Sequence, residues 1–252
     1  MDTMSELLGT QRIHIAPVGF EVDRIVIPAT KYKADKVYLL VHDNSSEDKA
    51  RPYVTEIQKQ LKKNKIESEL IYSDWRDVEK ITKIVRDVII KERKNQIFVN
   101  LASGSKIHAI AMDRACMTFE NRDNIHPFYA EAKSYIGFQF PKQLSKGVKT
   151  TKEIPTHRII MPKPEFLKTL EIIQEEGGKI KKKDLAEKLE KKGILNPNSK
   201  PGNKNQVLLA SLDKNIVQHL ENPWKAISVE KIGRNRWISI TSEGQYLLNT
   251  LI

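Results

Sequence analysis

The chain has one cysteine, Cys116, in 252 residues, and that scarcity removes two classes of protein at once. A single thiol closes no disulfide within the chain and supplies no cysteine-rich zinc site, which points to a reducing, cytoplasmic setting. No apolar run approaches the roughly 20 residues needed to cross a bilayer. The opening MDTMSELLGTQRIHIAP holds no apolar stretch flanked by basic residues, so no secretory leader is expected. Glycine is missing where nucleotide folds need it. The first expected strand is followed by Gly19 alone, not by Gly-x-Gly-x-x-Gly, and no Gly-x-x-x-x-Gly-Lys-Ser/Thr occurs. Neither a nicotinamide cofactor nor P-loop chemistry is indicated, and no cofactor is expected. His14 and His108 stand among apolar neighbours without the spaced partners of a metal site, so no metal is expected and packing is their reading.

Acidic residues are also in deficit, with 32 Asp and Glu against 43 Lys and Arg for a net charge of +11. Residues 1–150 hold 25 basic and 20 acidic side chains, while residues 151–252 hold 18 and 12, so the shorter part is the more basic per residue. An anionic partner follows from such a balance. Hydrophobic content of 39% with 30% charged residues describes a soluble globular chain, long enough for two ordinary domains.

The first part alternates between strand and helix patterns. Residues 12–20 read as a strand ending at Gly19, and 21–32 as a short helix. Residues 36–43 form a second strand, and 43–48 (DNSSED) offer N-cap residues for the helix through PYVTEIQKQLKKN. A third strand spans 67–74. The helix over 74–94 places Val78, Ile81, Val85, Val88 and Ile89 on one face. A fourth strand (95–102), a fourth helix (107–121) and a fifth strand (125–130) follow. YIGFQFP (135–141) is expected as a sixth strand, paired antiparallel. This alternation predicts an α/β fold, a Rossmann-like, mostly parallel sheet with helices on both faces. Ligands of such sheets sit beyond the carboxyl ends of the strands, where the strand order reverses. The loops to inspect are therefore residues 18–20, 42–44, 73–75 and 100–106.

One of these loops carries chemistry of its own. In VNLASGSKIHAIAM (99–112), an apolar strand stops in a small polar turn and a lysine opens the next helix. Bare backbone N–H groups and a helix N-terminus attract phosphate. Gly104 lets backbone approach an anion, Ser103 and Ser105 offer hydroxyls, and Lys106 adds a point charge. Asn100 is placed either to read an adenine or to hold the turn. A plain strand-to-helix turn with a good cap would look the same.

This stretch resembles the signature after the fourth strand of CRISPR-associated Rossmann-fold (CARF) domains. There a strand ends in Asn or Asp, passes a Thr/Ser-Gly turn and reaches Lys or Arg. Asn100, Ser103, Gly104, Ser105 and Lys106 match that pattern, while Ala102 stands where Ser or Thr is usual. The turn APVGFEVDRI, with Gly19 and Phe20, is similar to the family's first ligand loop. The resemblance covers roughly residues 10–145 and implies a homodimer that binds a cyclic oligoadenylate across its twofold axis.

The second part is built differently. Residues 1–149 form the expected sensing domain and 150–163 a proline-containing linker, with a pairing strand expected at residues 158–161. Over residues 164–252 come three helical patterns. PEFLKTLEIIQEEGG buries Phe166, Leu167, Leu170 and Ile173. KIKKKDLAEKLEKKGIL buries Leu185, Ala186 and Leu189, and NKNQVLLASLDKNIVQHLE buries Val207, Leu208, Leu212 and Val217. Two short strands then turn at Gly233-Arg234-Asn235, and a last helix follows, capped by Ser242. This order resembles a winged helix-turn-helix, whose third helix enters the major groove while the wing meets the backbone or minor groove. Together the two parts resemble archaeal CARF–winged-helix transcriptional regulators. The expected DNA contacts are Lys181, Lys182 and Lys183 heading the second helix, Asn203, Lys204, Asn205 and Gln206 on the third, and Arg234 and Arg236 at the wing. A solvated lysine face or a dimerisation surface is the plainer reading of the same residues. Trp224 and Trp237 read as core.

The expectation is a ligand-gated regulator that binds double-stranded DNA and is not an enzyme. CARF domains also head ribonucleases that carry Arg, four to six residues, then His. Beyond residue 151 the only arginines are Arg158, Arg234 and Arg236, and neither His157 nor His219 follows one at that spacing. A ring nuclease that cleaves its own ligand through Lys106 or Ser105 stays open at this point, as does a sensor of another small anionic nucleotide.

Overall fold

A computed structural model describes residues 9–44, 46–120, 122–155, 159–196 and 204–252. The chain divides into two compact units, residues 1–159 and 160–252.

The first unit runs β1 (Arg12–Pro17), α1 (Asp23–Lys31), β2 (Lys36–His42), α2 (Arg51–Lys63), β3 (Glu67–Ser73), α3 (Val78–Lys91), β4 (Gln96–Asn100), α4 (Lys106–Met117), β5 (Ile125–Tyr135) and β6 (Ser145–Glu153). Its sheet has the order β3-β2-β1-β4-β5-β6, with every neighbouring pair parallel except β5 and β6. The central strands are nearly continuous apolar runs because both sheet faces are covered. Ile13 and Ile15 of β1 pack with Ile81 and Val85 of α3 and with Ala111 and Met112 of α4 on one face. On the other, Ala16 of β1 and Leu39 of β2 meet Ile25 and Ala29 of α1 and Ile57 and Leu61 of α2. The chain thus changes faces between β1 and β4, and the strand order reverses there. A cleft opens at such a point.

Several local expectations are corrected. YIGFQFP is not the sixth strand: β5 itself continues through Tyr135, residues 136–144 form a connection, and the antiparallel partner is β6. That strand includes residues 150–153, the head of the expected linker. Among the described residues of 158–161, residues 159–161 form no strand. The helix α2 begins after the polar DNSSED run: its N-cap is Ala50, with Asp48 Oδ1 accepting from Ala50 N at 2.8 Å one step earlier.

His14 is buried within this unit, stacked on Phe98 with ring centroids 4.9 Å apart. Burial pushes its imidazole from 6.5 down to about 3. The unfolded chain therefore takes up a proton that the folded chain refuses. The stability held by neutral His14 is complete above pH 6.5 and falls as the pH drops towards 3. The loss is about 1.4 kcal/mol for each pH step. His14→Phe keeps the ring packing and removes the proton. Its urea stability is expected to fall between pH 7 and pH 5 by roughly 2 kcal/mol less than that of the wild type; identical slopes would take His14 out of the acid response.

The second unit runs α5 (Pro164–Glu175), β7 (Lys179–Lys181), α6 (Lys182–Lys191), α7 (Lys204–Leu212), a π-helical turn (Asp213–Val217), α8 (Gln218–Glu221), β8 (Ile227–Ile232), β9 (Asn235–Ile240) and α9 (Ser242–Leu251). The strand order β7-β9-β8 and the three helical segments ahead of the β8–β9 hairpin make this a winged-helix domain. Its core joins Phe166, Leu170 and Ile173 of α5, Leu185 and Leu189 of α6, and Leu208 and Leu212 of α7. Lys179 and Lys181 lie on β7 just ahead of α6, of which Lys181 is the N-cap. They flank the buried Ile180 on β7, which pairs with β9. The N-cap of α9 is Thr241, whose hydroxyl accepts from Gly244 N, and not Ser242. Trp224 packs against the core, but Trp237 is half-buried with the ammonium groups of Lys179 and Lys181 5.6 and 5.5 Å from its ring.

Candidate functional site

A cavity of about 840 Å³ opens where β1 and β4 part. All four loops singled out in the sequence reach it. Gly19 and Phe20 come from the turn after β1, His42 from the end of β2, Trp75 from the turn after β3, and Ser103, Gly104 and Ser105 from the turn before α4.

The turn before α4 is tightly made. Asn100 is buried, its Nδ2 donating to the Arg24 carbonyl at 2.8 Å and its Oδ1 accepting from Ala102 N at 2.9 Å. Both ends of the amide are used, so Asn100 holds the turn and does not line the cavity. Gly104 has φ +74°, and a Cβ there would stand 2.7 Å from Pro17 Cβ. A Cβ on Gly19 would stand 3.0 Å from Gly104 N. The two glycines thus let the β1 and β4 turns touch, a role beside the approach to an anion. Ser105 caps α4: its Oγ accepts from His108 N at 3.2 Å, and His108 Nδ1 accepts from Ser105 N at 3.2 Å. Burial, and then the nearby His42, push the His108 imidazole down to about 4. At neutral pH His108 is an uncharged acceptor and gives the site no positive charge. Lys106, the first residue of α4, is exposed and has no ion pair among the described residues, but it stands outside the cavity lining.

The structure adds residues that pattern reading passed over. Glu21 and Arg24 line the cavity while buried, joined through Glu21 Oε1 and Arg24 Nη1 at 3.4 Å. Glu21 Oε2 also accepts from Ser145 Oγ. The available signal was an opposite-charge pair three apart, Glu21 just ahead of α1 and Arg24 in its first turn. Arg24 Nη2, His42 Nε2 and Ser103 Oγ are buried polar atoms without a hydrogen-bond partner, and all three residues face this cavity. Tyr135 stands at the rim, followed by the exposed Ile136, Phe138 and Phe140.

In the second unit Lys181, Lys183, Arg234, Asn235 and Arg236 surround a groove of about 380 Å³ over Leu209 of α7. The wing and the head of α6 thereby present one cationic surface. Lys182 lines the same groove but is only 8% exposed and bonds Asp213, so its charge is already answered. Lys204 pairs with Glu190 at 2.9 Å. Asn205 and Gln206 are exposed on the first turn of α7. Asn203, His157 and Arg158 lie outside the described residues. Cys116 is buried, and burial raises its thiol far above the ordinary value. Among the described residues no cluster of His, Cys, Asp and Glu is placed to hold a metal ion, and no helix is long and apolar enough to cross a membrane.

Two family models match the chain. Residues 12–135 match the one described as HFX_2341_N:-like, N-terminal, and residues 165–252 match the DUF6293 C-terminal winged helix domain. A curated relative, the uncharacterized protein MJ1513 of Methanocaldococcus jannaschii, is 28% identical over 192 residues, 66% of this chain and 57% of that protein. Can2 from Sulfobacillus thermosulfidooxidans, solved with cyclic tetra-adenylate, is similar over 95% of this chain and 63% of its own, at 14% identity and a TM-score of 0.41. Enterococcus italicus Csm6, bound to cyclic hexa-2'-fluoro-hexa-dAMP, is similar over 49% of this chain and 34% of its own, at 15% identity and a TM-score of 0.41. The chain therefore spans less than two thirds of each of these three proteins.

Proposed function

We propose that the chain is a ligand-gated, DNA-binding transcriptional regulator. Its first unit senses a cyclic oligoadenylate or a related nucleotide as a homodimer, and its winged-helix unit binds double-stranded DNA. The reading is carried by the turn at residues 103–105, which lies in the wall of a large cavity at the reversal of strand order and opens directly into the N-terminus of α4. Small side chains, a glycine with positive φ, an unpartnered Ser103 hydroxyl and Lys106 just beyond suit a phosphodiester. The cationic groove of the second unit suits a duplex backbone. The homodimer rests on the run from Tyr135 to Phe140, whose large side chains are 42–66% exposed beside the cavity mouth and need cover. No enzymatic step belongs to this reading.

A thermal-shift panel with cyclic tri-, tetra- and hexa-adenylate tests it. A ligand at about a hundred times its dissociation constant adds roughly 2.7 kcal/mol of stability. Lys106→Ala is expected to leave the melting temperature of the free protein unchanged, since the side chain is exposed, and to weaken binding about tenfold. Full affinity in that variant would remove the α4 mouth as the phosphate site. No shift with any of the rings would remove the ligand class.

A further inference from the structure

The guanidinium of Arg24 sits beside the cavity with its side chain 6% exposed. Nε donates to the Ala130 carbonyl at 2.8 Å, Nη1 faces Glu21, and the Tyr129 ring covers the group at 4.9 Å. Nη2 has no partner and no solvent. Ser103 is 3% exposed, and its Oγ is in the same state. An unmet buried donor of this kind is costly, more so on a charged group, so its persistence calls for a reason. A bound molecule that completes both groups supplies one.

Charge narrows the chemistry of that molecule. Glu21 already answers the Arg24 charge, and across the cavity Glu21, Glu47 and Asp48 outnumber Arg24 and Lys49. A phosphate gains little there, and the α4 mouth is the better place for it. The lining of the same cavity also includes the apolar side chains of Val18, Phe20, Val54 and Leu144, a surface on which a base can pack. We infer that Arg24 Nη2 and Ser103 Oγ form a nucleobase subsite, in which Arg24 donates to a ring nitrogen of an adenine while the phosphates lie apart at the β4–α4 turn. This rests on the nucleotide reading above and adds to it a residue that contacts the base.

The experiment is calorimetric binding to the full chain. It uses whichever of cyclic tri-, tetra- and hexa-adenylate binds best, together with the 1-, 3- and 7-deaza-adenine forms of that ring. Each deaza form removes one acceptor and keeps every phosphate. One of them is expected to bind the wild type about 10- to 100-fold more weakly, the worth of a hydrogen bond to a charged group. Arg24→Lys keeps a cation opposite Glu21 and is expected to weaken the parent ring to the same degree. It should bind that deaza form no more weakly than the wild type does. Losses that simply add between variant and analogue would overturn the subsite. Should Arg24→Lys not fold, the analogue series on the wild type decides, and equal binding of all three deaza forms and the parent overturns it. A wild type that binds none of the rings overturns the nucleotide reading and the subsite together; binding without ring-nitrogen discrimination overturns the subsite alone.

Discussion

Gly244→Ala is expected to destabilise the winged-helix unit strongly. Helix propensity alone predicts the opposite, since alanine is better than glycine by about 1 kcal/mol inside a helix. Geometry decides against it. A Cβ at Gly244 would stand 2.1 Å from the Ala226 carbonyl oxygen and 2.7 Å from Ile240 Cγ1. Neither neighbour is free to retreat. The Ala226 carbonyl accepts from Thr241 N at 3.1 Å, and Ala226 N donates to Leu220 O at 2.7 Å, so the clash falls on held backbone. Moving α9 outward would also break the cap from Gly244 N to Thr241 Oγ1 at 3.2 Å. Overpacking of this kind costs roughly 3 kcal/mol or more, a large share of the stability of a small domain. Urea unfolding followed by tryptophan fluorescence reads the effect, because Trp224 and Trp237 belong to this unit and only Trp75 to the other. A midpoint unchanged in the variant would mean that α9 does not pack on the strands as described.

The second large effect concerns DNA. A variant carrying Lys181→Ala, Lys183→Ala, Arg234→Ala and Arg236→Ala empties the groove of its exposed cations while leaving Lys182 on Asp213. Each phosphate contact contributes about 0.9 to the slope of log affinity against log salt. The slope is therefore expected to flatten by roughly 3 to 4. Affinity at low salt should fall by more than a hundredfold, measured by fluorescence anisotropy on a labelled duplex. Lys182→Ala makes the contrasting control. It leaves the salt slope alone and lowers stability, because Asp213 loses its partner. A slope untouched by the four changes would take the groove out of any DNA contact.

The parallel core was legible because strands buried on both faces are nearly continuous apolar runs, as in KVYLLVH of β2. The helix faces were legible from spacing, as with Ile81, Val85 and Val88 of α3. The sheet edge was not. YIGFQFP alternates large apolar residues as a half-buried strand would, yet it forms the connection, while SKGVKTTKE pairs with β5 despite a single apolar side chain, Val148. Pairing partners decided there, and local propensity had little say. KIKKK was misread for a related reason. Lysines suit a helix, but Ile180 between Lys179 and Lys181 has a period of two and sits opposite Ile238 of β9. At the site, the loops were readable from strand order and the polar turn from its residue types. The buried Glu21–Arg24 pair was not, since a charged pair in sequence looks solvated until the fold covers it. The same holds for Lys182, whose partner Asp213 lies 31 residues away.

The start of α1 has a consequence in time as well as in space. Val22 N and Asp23 N, which an ordinary N-cap would serve, donate to Gln143 Oε1 at 2.9 and 3.0 Å across 121 and 120 residues. Glu21 is held by Ser145, and Asp23 Oδ2 accepts from Gly147 N at 2.7 Å. A chain growing from its N-terminus makes β1 to β5 before any of these partners has left the ribosome. Until then the first N–H groups of the helix that carries Arg24 are left to water. The cavity wall is therefore among the last parts of the first unit to be finished during synthesis, and the cavity is complete only once β6 is in place.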